Sequence, residues 1–252
     1  MIQLKNPEQI EIMKVAGRIT GEALLVAKEM IHEGVTTKQI DDKIRRYIEK
    51  CGAKPTFLGY GGFPGSACIS INDEVIHGIP SHKRILKNGD IVKIDVGAYW
   101  HGFTGDSANT FAVGEISDEA QKLIDATRES FFAGIKAIEE TENPRLGDLG
   151  YAIQSYVEAR GYSVVREFVG HGVGAELHED PNVPNYGTKG RGVRIHPGMT
   201  LAIEPMINAG THEVRMLGDG WGVVTKDGAL SAHYEHSVAI TDNGVILLTK
   251  VD

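Results

Sequence analysis

Apolar side chains recur every three to four positions over residues 7–30 and 37–51, at Ile10, Met13, Val15 and Ala16, then at Ile40, Ile44, Tyr47 and Ile48. That spacing predicts two amphipathic helices. From 66 to 114 the pattern shortens to strand-like runs punctuated by Gly, Asn and Pro. Helical spacing returns over 117–140 and 146–160. Residues 163–250 read as strands again, with loops around 179–192 and 209–222. The order helices, strands, helices, strands describes a mixed α/β (α+β) chain without a low-complexity segment or flexible linker.

The second half repeats the first. Displaced by 110 positions, Ala16, Arg18, Ala23, Ala27 and Glu29 fall on Ala126, Arg128, Ala133, Ala137 and Glu139. Displaced by 109, Ile40, Ile44, Tyr47 and Ile48 fall on Leu149, Ile153, Tyr156 and Val157. "VIHGI" (75–79) matches "VGHGV" (169–173), and "RILKNGDIVKID" (84–95) matches "RIHPGMTLAIE" (194–204) after a one-residue gap. The expectation is one domain, 1–252, built by duplication of 7–114 and 117–250, with the copies packed about a pseudo-twofold axis.

The repeat aligns acids. Asp95 and Glu204 each lie six residues after a glycine and directly after an isoleucine, and a second acid follows on another strand, Asp106 in one copy and Glu235 in the other. Strand alternation puts Glu204 on a face with Thr200 and Ala202, and Glu235 on a face with His233, Ser237 and Ala239. The bulky neighbours Met199, Leu201, Ile203, Tyr234, Val238 and Ile240 point the other way. Helices can cover the bulky faces, leaving the acids on a less crowded one.

Burying ionised carboxylates costs several kcal/mol each unless they are neutralised. Lys93 shares a face with Asp95, but no set of Lys or Arg matches all four acids. Two divalent cations would balance four carboxylates. Carboxylates with one imidazole, here His171 between glycines in "GHGVG", suit Mn, Fe, Co or Zn. Two such ions sharing a water lower its pKa toward neutrality, which is hydrolase chemistry.

Bulk properties narrow the class. Net charge is −8, from 34 acidic and 26 basic residues, which disfavours a nucleic-acid binder. The cysteines, Cys51 and Cys68, are too few for a secreted disulfide scaffold, so a cytoplasmic protein is expected. No apolar run approaches the ~20 residues that span a bilayer.

The motifs "HGIP" (77–80), "IDVGAYWHGFTGD" (94–106), "GHGVG" (170–174), "LAIEP" (201–205) and "YEHSVAI" (234–240), in this order and spacing, resemble type I, bacterial-type methionine aminopeptidases. The resemblance covers essentially the whole chain. It implies the pita-bread fold, in which helices cover a curved, mostly antiparallel sheet with metals at the centre of two pseudo-symmetric halves. It further implies removal of the initiator methionine from nascent polypeptides whose second residue is small, by a metal-bridging water or hydroxide. Asp95 would bind one metal, Asp106 and Glu235 would bridge two, and His171 and Glu204 would complete the other's shell. Glu204 would also shuttle a proton. His178 would polarise the scissile carbonyl and His77 meet the amide, while the free α-amine would ligate the metal held by Asp95.

By the same resemblance the methionine slot is Tyr60, Phe63, Cys68 and Trp221, with Phe57 and Leu177 adjoining. The last two depart from relatives that often carry cysteine and phenylalanine there. Asn72 and Ser231 match positions that hold a monovalent cation in some relatives.

Two rivals share the fold, a prolidase or X-Pro aminopeptidase and a non-catalytic pita-bread binding module. The former carry a large additional N-terminal domain, whereas helical pattern begins here by residue 7. The latter lose the ligands, whereas all five positions here are acceptable donors. The expected partners are peptides with N-terminal methionine. A basic rim, "SHKRILK" (81–87) with "TKGRGVRIH" (188–196), would touch the ribosome, and the chain is expected to be a monomer.

Overall fold

Each long helix begins on a local signal. In the computed structural model, which describes residues 1–251, α1 (Pro7–Glu29) starts on Asn6, whose side chain accepts from the amide of Gln9 while Gln9 caps Asn6 in return. Thr36 and Gln39 repeat this box at α2 (Thr37–Lys50). Next come β1 (Lys54–Pro55), a tight 3-10 turn (Tyr60–Gly62), β2 (Ala67–Ile71), β3 (Glu74–Ile76), β4 (Ile91–Trp100) and β5 (Phe103–Ala112). The second half opens with α3 (Asp118–Glu140), capped by Ser117, and α4 (Leu146–Glu158). It continues through β6 (Ser163–Val164), β7 (Gly170–Gly172), β8 (Glu179–Val183), β9 (Thr200–Ile203), β10 (Met206–Asn208), β11 (Val214–Met216), β12 (Val223–Thr225), β13 (Ser231–His233), β14 (His236–Thr241) and β15 (Gly244–Leu247).

All strand pairs are antiparallel. They form four ladders: β1-β4-β2 with β5 also on β4, β13-β10-β6, β11-β12-β3, and β15-β14-β9-β7-β8. The bulky faces are covered as the pattern predicts. Ile40, Ile44 and Ile48 of α2 bury against Ile69, Ile94 and Val96. Phe131, Leu149 and Ile153 of α3 and α4 bury against Leu201, Ile203, Val238 and Ile240. Each such side chain contributes about 1.5–3 kcal/mol on leaving water. Helix α1 crosses β5 at two glycines, where a Cβ on Gly105 would stand 2.7 Å from the Cα of Gly17.

Three expectations about the strands need correction. The stretch 179–192 is not all loop, because Glu179–Val183 pairs with β7. Likewise Val214–Met216 within 209–222 pairs with β12. The first is mostly polar and the second only three residues long, so pairing is imposed by the partner strand rather than by their own composition. The small-residue face of the second half is also not open along its length. Ala202 and Ala239 lie in a buried cluster with Ile10 and Met13 of α1, and small side chains there let the helix approach.

Arg84, counted in the expected basic rim, turns inward. It pairs with Glu74 and donates to the carbonyls of Ile69 and Ile79. Among the described residues no helix is long and apolar enough to cross a membrane.

Candidate active site

Register brings the four acids together. Asp95 on β4 lies opposite Ala108 of β5, and Asp106 lies opposite Gly97, so the two acids are diagonal neighbours on one face. On β4's other side Asp95 is level with Cys68 of β2. His171 on β7 lies opposite Ala202 of β9, two residues before Glu204. Pro205 has no amide to donate, and the β9 ladder ends just before it, at Ile203. Glu235 occupies the break between β13 and β14.

Side chains and main chain zip that break to β5. The Glu235 amide donates to the Ala108 carbonyl at 2.9 Å, and the Ser107 hydroxyl to the Glu235 carbonyl at 2.7 Å. The Ser237 hydroxyl both accepts from the Asp106 amide at 3.0 Å and donates to its carbonyl at 2.8 Å. Asp106 and Glu235 are thereby fixed side by side by contacts that do not use their carboxylates.

A cavity of about 180 Å³ is lined by all five candidate ligands, Asp95, Asp106, His171, Glu204 and Glu235, and by His77 and His178. Its apolar wall is Phe57, Tyr60, Phe63, Cys68, Leu177 and Trp221. The candidate divalent-metal, catalytic and methionine-binding residues therefore all line one space, whereas Asn72 and Ser231 lie outside it. It is smaller than the ~300–1,000 Å³ typical of drug-sized pockets, and fits one side chain better than a long peptide.

The electrostatics call for a cation. Burial, followed by the charge of Asp106, pushes the Asp95 and Glu204 carboxyls well above their usual range. Burial, then Asp106 and Glu204, does the same to Glu235. Burial raises Asp106 to about 7. Asp95 Oδ1, Asp106 Oδ1 and Glu235 Oε1 have no hydrogen-bond partner among the described residues. Lys93 does not neutralise Asp95, since its ammonium donates to the Asn72 carbonyl instead.

His171 Nδ1 lies 2.9 Å from the Gly172 carbonyl, which can only accept, so Nδ1 carries the proton. Nε2 then presents a lone pair, 3.4 Å from Glu204 Oε1 and 3.6 Å from Asp106 Oδ2. Burial lowers this imidazole to about 4, keeping it neutral. Once both carboxyls are ionised, the three groups are acceptors facing one another without a donor, a poor hydrogen-bond network but a good metal cradle. One potential donor atom from each of Asp106, His171 and Glu235 lies within 4.8 Å of the others. The donor set, buried oxygens with one nitrogen, fits divalent metal.

The rest of the wall is shaped for an apolar guest. Phe57, Phe63, Cys68 and Leu177 form a buried cluster against which Trp221 packs, with the Phe63 and Trp221 rings edge to face at 5.1 Å. Gly97 makes room for Phe57, since a Cβ there would meet the Phe57 ring at 3.0 Å. His77 is held at φ +60, a left-handed conformation uncommon for a non-glycine residue, and burial lowers its imidazole to about 4.

Two neighbours of Glu204 were given no role from the sequence. His233 is buried, with Nε2 3.8 Å from Glu204 Oε2 and neither ring nitrogen hydrogen-bonded among the described residues. Its only signal was its shared face with Glu235. Asn185 donates to the Glu204 carbonyl at 3.0 Å, but lies in a stretch read as loop.

The sequence pattern of metallopeptidase family M24 matches residues 11–242. The chain belongs to metallopeptidase family M24. Within family M24 it is 53% identical over 249 residues to a methionine aminopeptidase of Clostridium acetobutylicum, covering 99% of each chain. The structure superposes on the crystal structure of methionine aminopeptidase from Thermotoga maritima with a TM-score of 0.96 and 46% identity, covering 100% of both chains. Prolidase from Pyrococcus furiosus gives a TM-score of 0.78 at 25% identity, covering 99% of this chain and 66% of that one. The fold is the pita-bread fold of family M24, with its antiparallel pairing divided among four ladders.

Proposed function

We propose that this chain is a methionyl aminopeptidase that removes the initiator methionine from nascent polypeptides with a small second residue. The observation that carries the reading is the ring of acids around one cavity, with an oxygen of each of Asp95, Asp106 and Glu235 buried without a hydrogen-bond partner, beside an apolar slot. Full-length likeness to methionine aminopeptidases supports that choice over an X-Pro peptidase, and the intact donor set supports an enzyme over a binding module.

Asp95, Asp106, His171, Glu204 and Glu235 would hold two divalent ions, Co, Mn, Fe or Zn, with Asp106 and Glu235 shared between them. When bound, such ions supply positive charge that acidifies a water and polarises a carbonyl. The remaining work belongs to the chain. Phe57, Phe63, Cys68, Leu177 and Trp221 would grip the methionine side chain, whose polarizable thioether suits aromatic and thiol neighbours. Glu204 would take the proton lost by the attacking water and pass it to the leaving amine.

His178, with the Tyr60 hydroxyl donating to Nδ1, would keep its proton on Nε2 and present it to the carbonyl oxygen as charge develops there. His77 would meet the amide of the scissile bond. The duplication of 7–114 and 117–250 is our proposal for why two comparable sets of donors face each other. The cytoplasm, where nascent chains are made, is the proposed location. The basic loops without Arg84 are the proposed ribosome contact, which rising salt should weaken.

Metal-stripped protein assayed on Met-Ala-Ser, with Mn, Fe, Co or Zn restored singly, tests the proposal. Methionine release should return with at least one ion. No release with any ion would sink the enzyme reading. Release of X from X-Pro peptides with Met-Ala-Ser untouched would favour the prolidase-like alternative.

A further inference from the structure

Strand β4 carries two charged side chains two residues apart with different destinations. Asp95 faces the cavity, whereas Lys93, 1% exposed, donates from Nζ to the main-chain carbonyl of Asn72 at 2.6 Å. Lys93 forms no ion pair with a carboxylate among the described residues; burial lowers its ammonium to about 7, with Arg84 acting in the same sense and Glu74, Asp73 and Asp90 opposing through space.

Asn72 is a junction. Its φ of +52 turns the chain between β2 and β3. Its amide donates to the Ile91 carbonyl at 2.9 Å, its Oδ1 accepts from the Ile91 amide at 3.0 Å, and its Nδ2 donates to Asp90 at 2.8 Å. Its carbonyl accepts from Lys93 and also from the Ser231 amide at 3.1 Å. Three segments meet there: the β2–β3 turn, the start of β4 and the start of β13. Two of them run directly into site acids, β4 to Asp95 and β13 to Glu235.

The resemblance to methionine aminopeptidases put a monovalent cation at Asn72 and Ser231. The residues present do not fit one. A carbonyl oxygen has two lone pairs, and both are engaged here. An alkali-metal ion sharing that oxygen would stand beside a buried ammonium, and like charges out of water repel strongly.

We propose that Lys93 is this chain's own monovalent cation, its ammonium taking the place of an alkali-metal ion on the Asn72 carbonyl, the same oxygen that binds the Ser231 amide at the start of β13. The protein then needs no sodium or potassium to hold Asp95 and Glu235 in register.

The test compares the full-length protein with Lys93→Ser, which removes the ammonium and leaves room for an ion. Tm is measured as potassium or sodium chloride replaces choline chloride at constant ionic strength, and thallium(I) binding is followed by 205Tl NMR. The wild type should show the same Tm in all three salts and no thallium signal competed by potassium. Lys93→Ser should have a lower Tm in choline, recover saturably with potassium or sodium, and bind one thallium ion. A saturable rise in the wild-type Tm with either alkali metal, or thallium binding to the wild type, overturns the proposal. So does a Lys93→Ser protein that keeps the wild-type Tm in choline and ignores the ions. The wild-type measurements decide the matter even if the variant fails to fold.

Discussion

The hydroxyl of Tyr60 lies 2.7 Å from Nδ1 of His178, joining residues 118 positions apart across the mouth of the cavity. Tyr60 rides on a turn with positive φ at Gly59, Gly61 and Gly62, conformations that glycine alone adopts freely. With the hydroxyl donating, the imidazole is locked in the tautomer that points Nε2–H inward. Tyr60→Phe keeps the ring and removes that lock. The expected result is a fall in kcat of about tenfold with little change in KM, because the lost interaction matters most in the transition state. His178→Ala should cost more, about 100–1,000-fold in kcat, the range for losing an oxyanion donor. Steady-state kinetics on Met-Ala-Ser checks both, and an unchanged kcat in Tyr60→Phe removes Tyr60 from the positioning of His178.

Asp106→Asn should separate metal binding from folding. The main chain of Asp106 is held by Ser237, and the charge of its carboxylate disfavours ionisation of Asp95, Glu204 and Glu235. A neutral isostere relieves that repulsion, so the metal-free variant should be at least as stable as metal-free wild type. Its activity should fall by more than ~100-fold, the upper range for losing even an outer-shell partner of a metal. The rise in Tm that metal gives the wild type should vanish. Calorimetric unfolding with and without Mn checks this, and near-wild-type activity would overturn the bridging assignment.

Metal affinity should rise with pH, and the sign follows from the carboxyls. Asp106, raised to about 7 by burial, and the more strongly raised Asp95, Glu204 and Glu235 hold protons in the metal-free protein near neutrality. Metal must displace those protons. His171, lowered to about 4, is already neutral and competes only in strong acid. Between pH 8 and 6 the affinity should drop by about tenfold per pH unit for each proton displaced. Titration calorimetry at pH 6.5 in two buffers of different ionisation enthalpy counts the protons. Release of less than one per protein would contradict the raised carboxyls.

Much of this site was legible because its signals are local. Asn6 and Thr36 cap helices that start where the periodicity starts, and the acids of "KID" and "AIE" each follow an isoleucine six residues after a glycine. What local pattern could not supply was destination. Lys93 shares a face with Asp95 in sequence, yet its long side chain reaches Asn72. The polar strand Glu179–Val183 exists because β7 needs a partner. The link from Tyr60 to His178 depends on how two distant loops close over one mouth. Each of these is a long-range contact made by a flexible or polar segment, where periodicity carries no information.

Leu177 tests the slot. It is buried in one cluster with Phe57, Phe63 and Cys68 and lines the cavity. Leu177→Ala should raise KM for Met-Ala-Ser about tenfold or more while kcat holds, because a pocket contact is made equally in ground and transition states. Its preference for methionine over bulkier N-terminal residues should shrink. A fall in kcat with KM unchanged would mean that Leu177 helps align the peptide rather than enclose the side chain.

The loop bearing Leu177 and His178 is anchored from behind by Lys5 and Glu179, an ion pair whose side chains are 4% and 6% exposed. Lys5 also donates to the Gln3 carbonyl at 3.1 Å, and its amide binds the Gly198 carbonyl at 2.7 Å. Glu179 accepts from the Glu176 amide at 3.3 Å, closing the loop on itself. Lys5→Met strands a buried carboxylate, which should cost about 3–5 kcal/mol. Lys5→Met with Glu179→Gln removes both charges and leaves the glutamine carbonyl to accept from Glu176. The pair should therefore be much less destabilised than the single variant, giving a coupling of ~1–3 kcal/mol in a double-mutant cycle. Urea unfolding of the four metal-free proteins measures it. Activity should follow the same order, lowest in the single variant, because a displaced loop carries His178 with it. If the double variant is no more stable than Lys5→Met, the loss comes from the N-terminal segment itself and not from the stranded charge of Glu179.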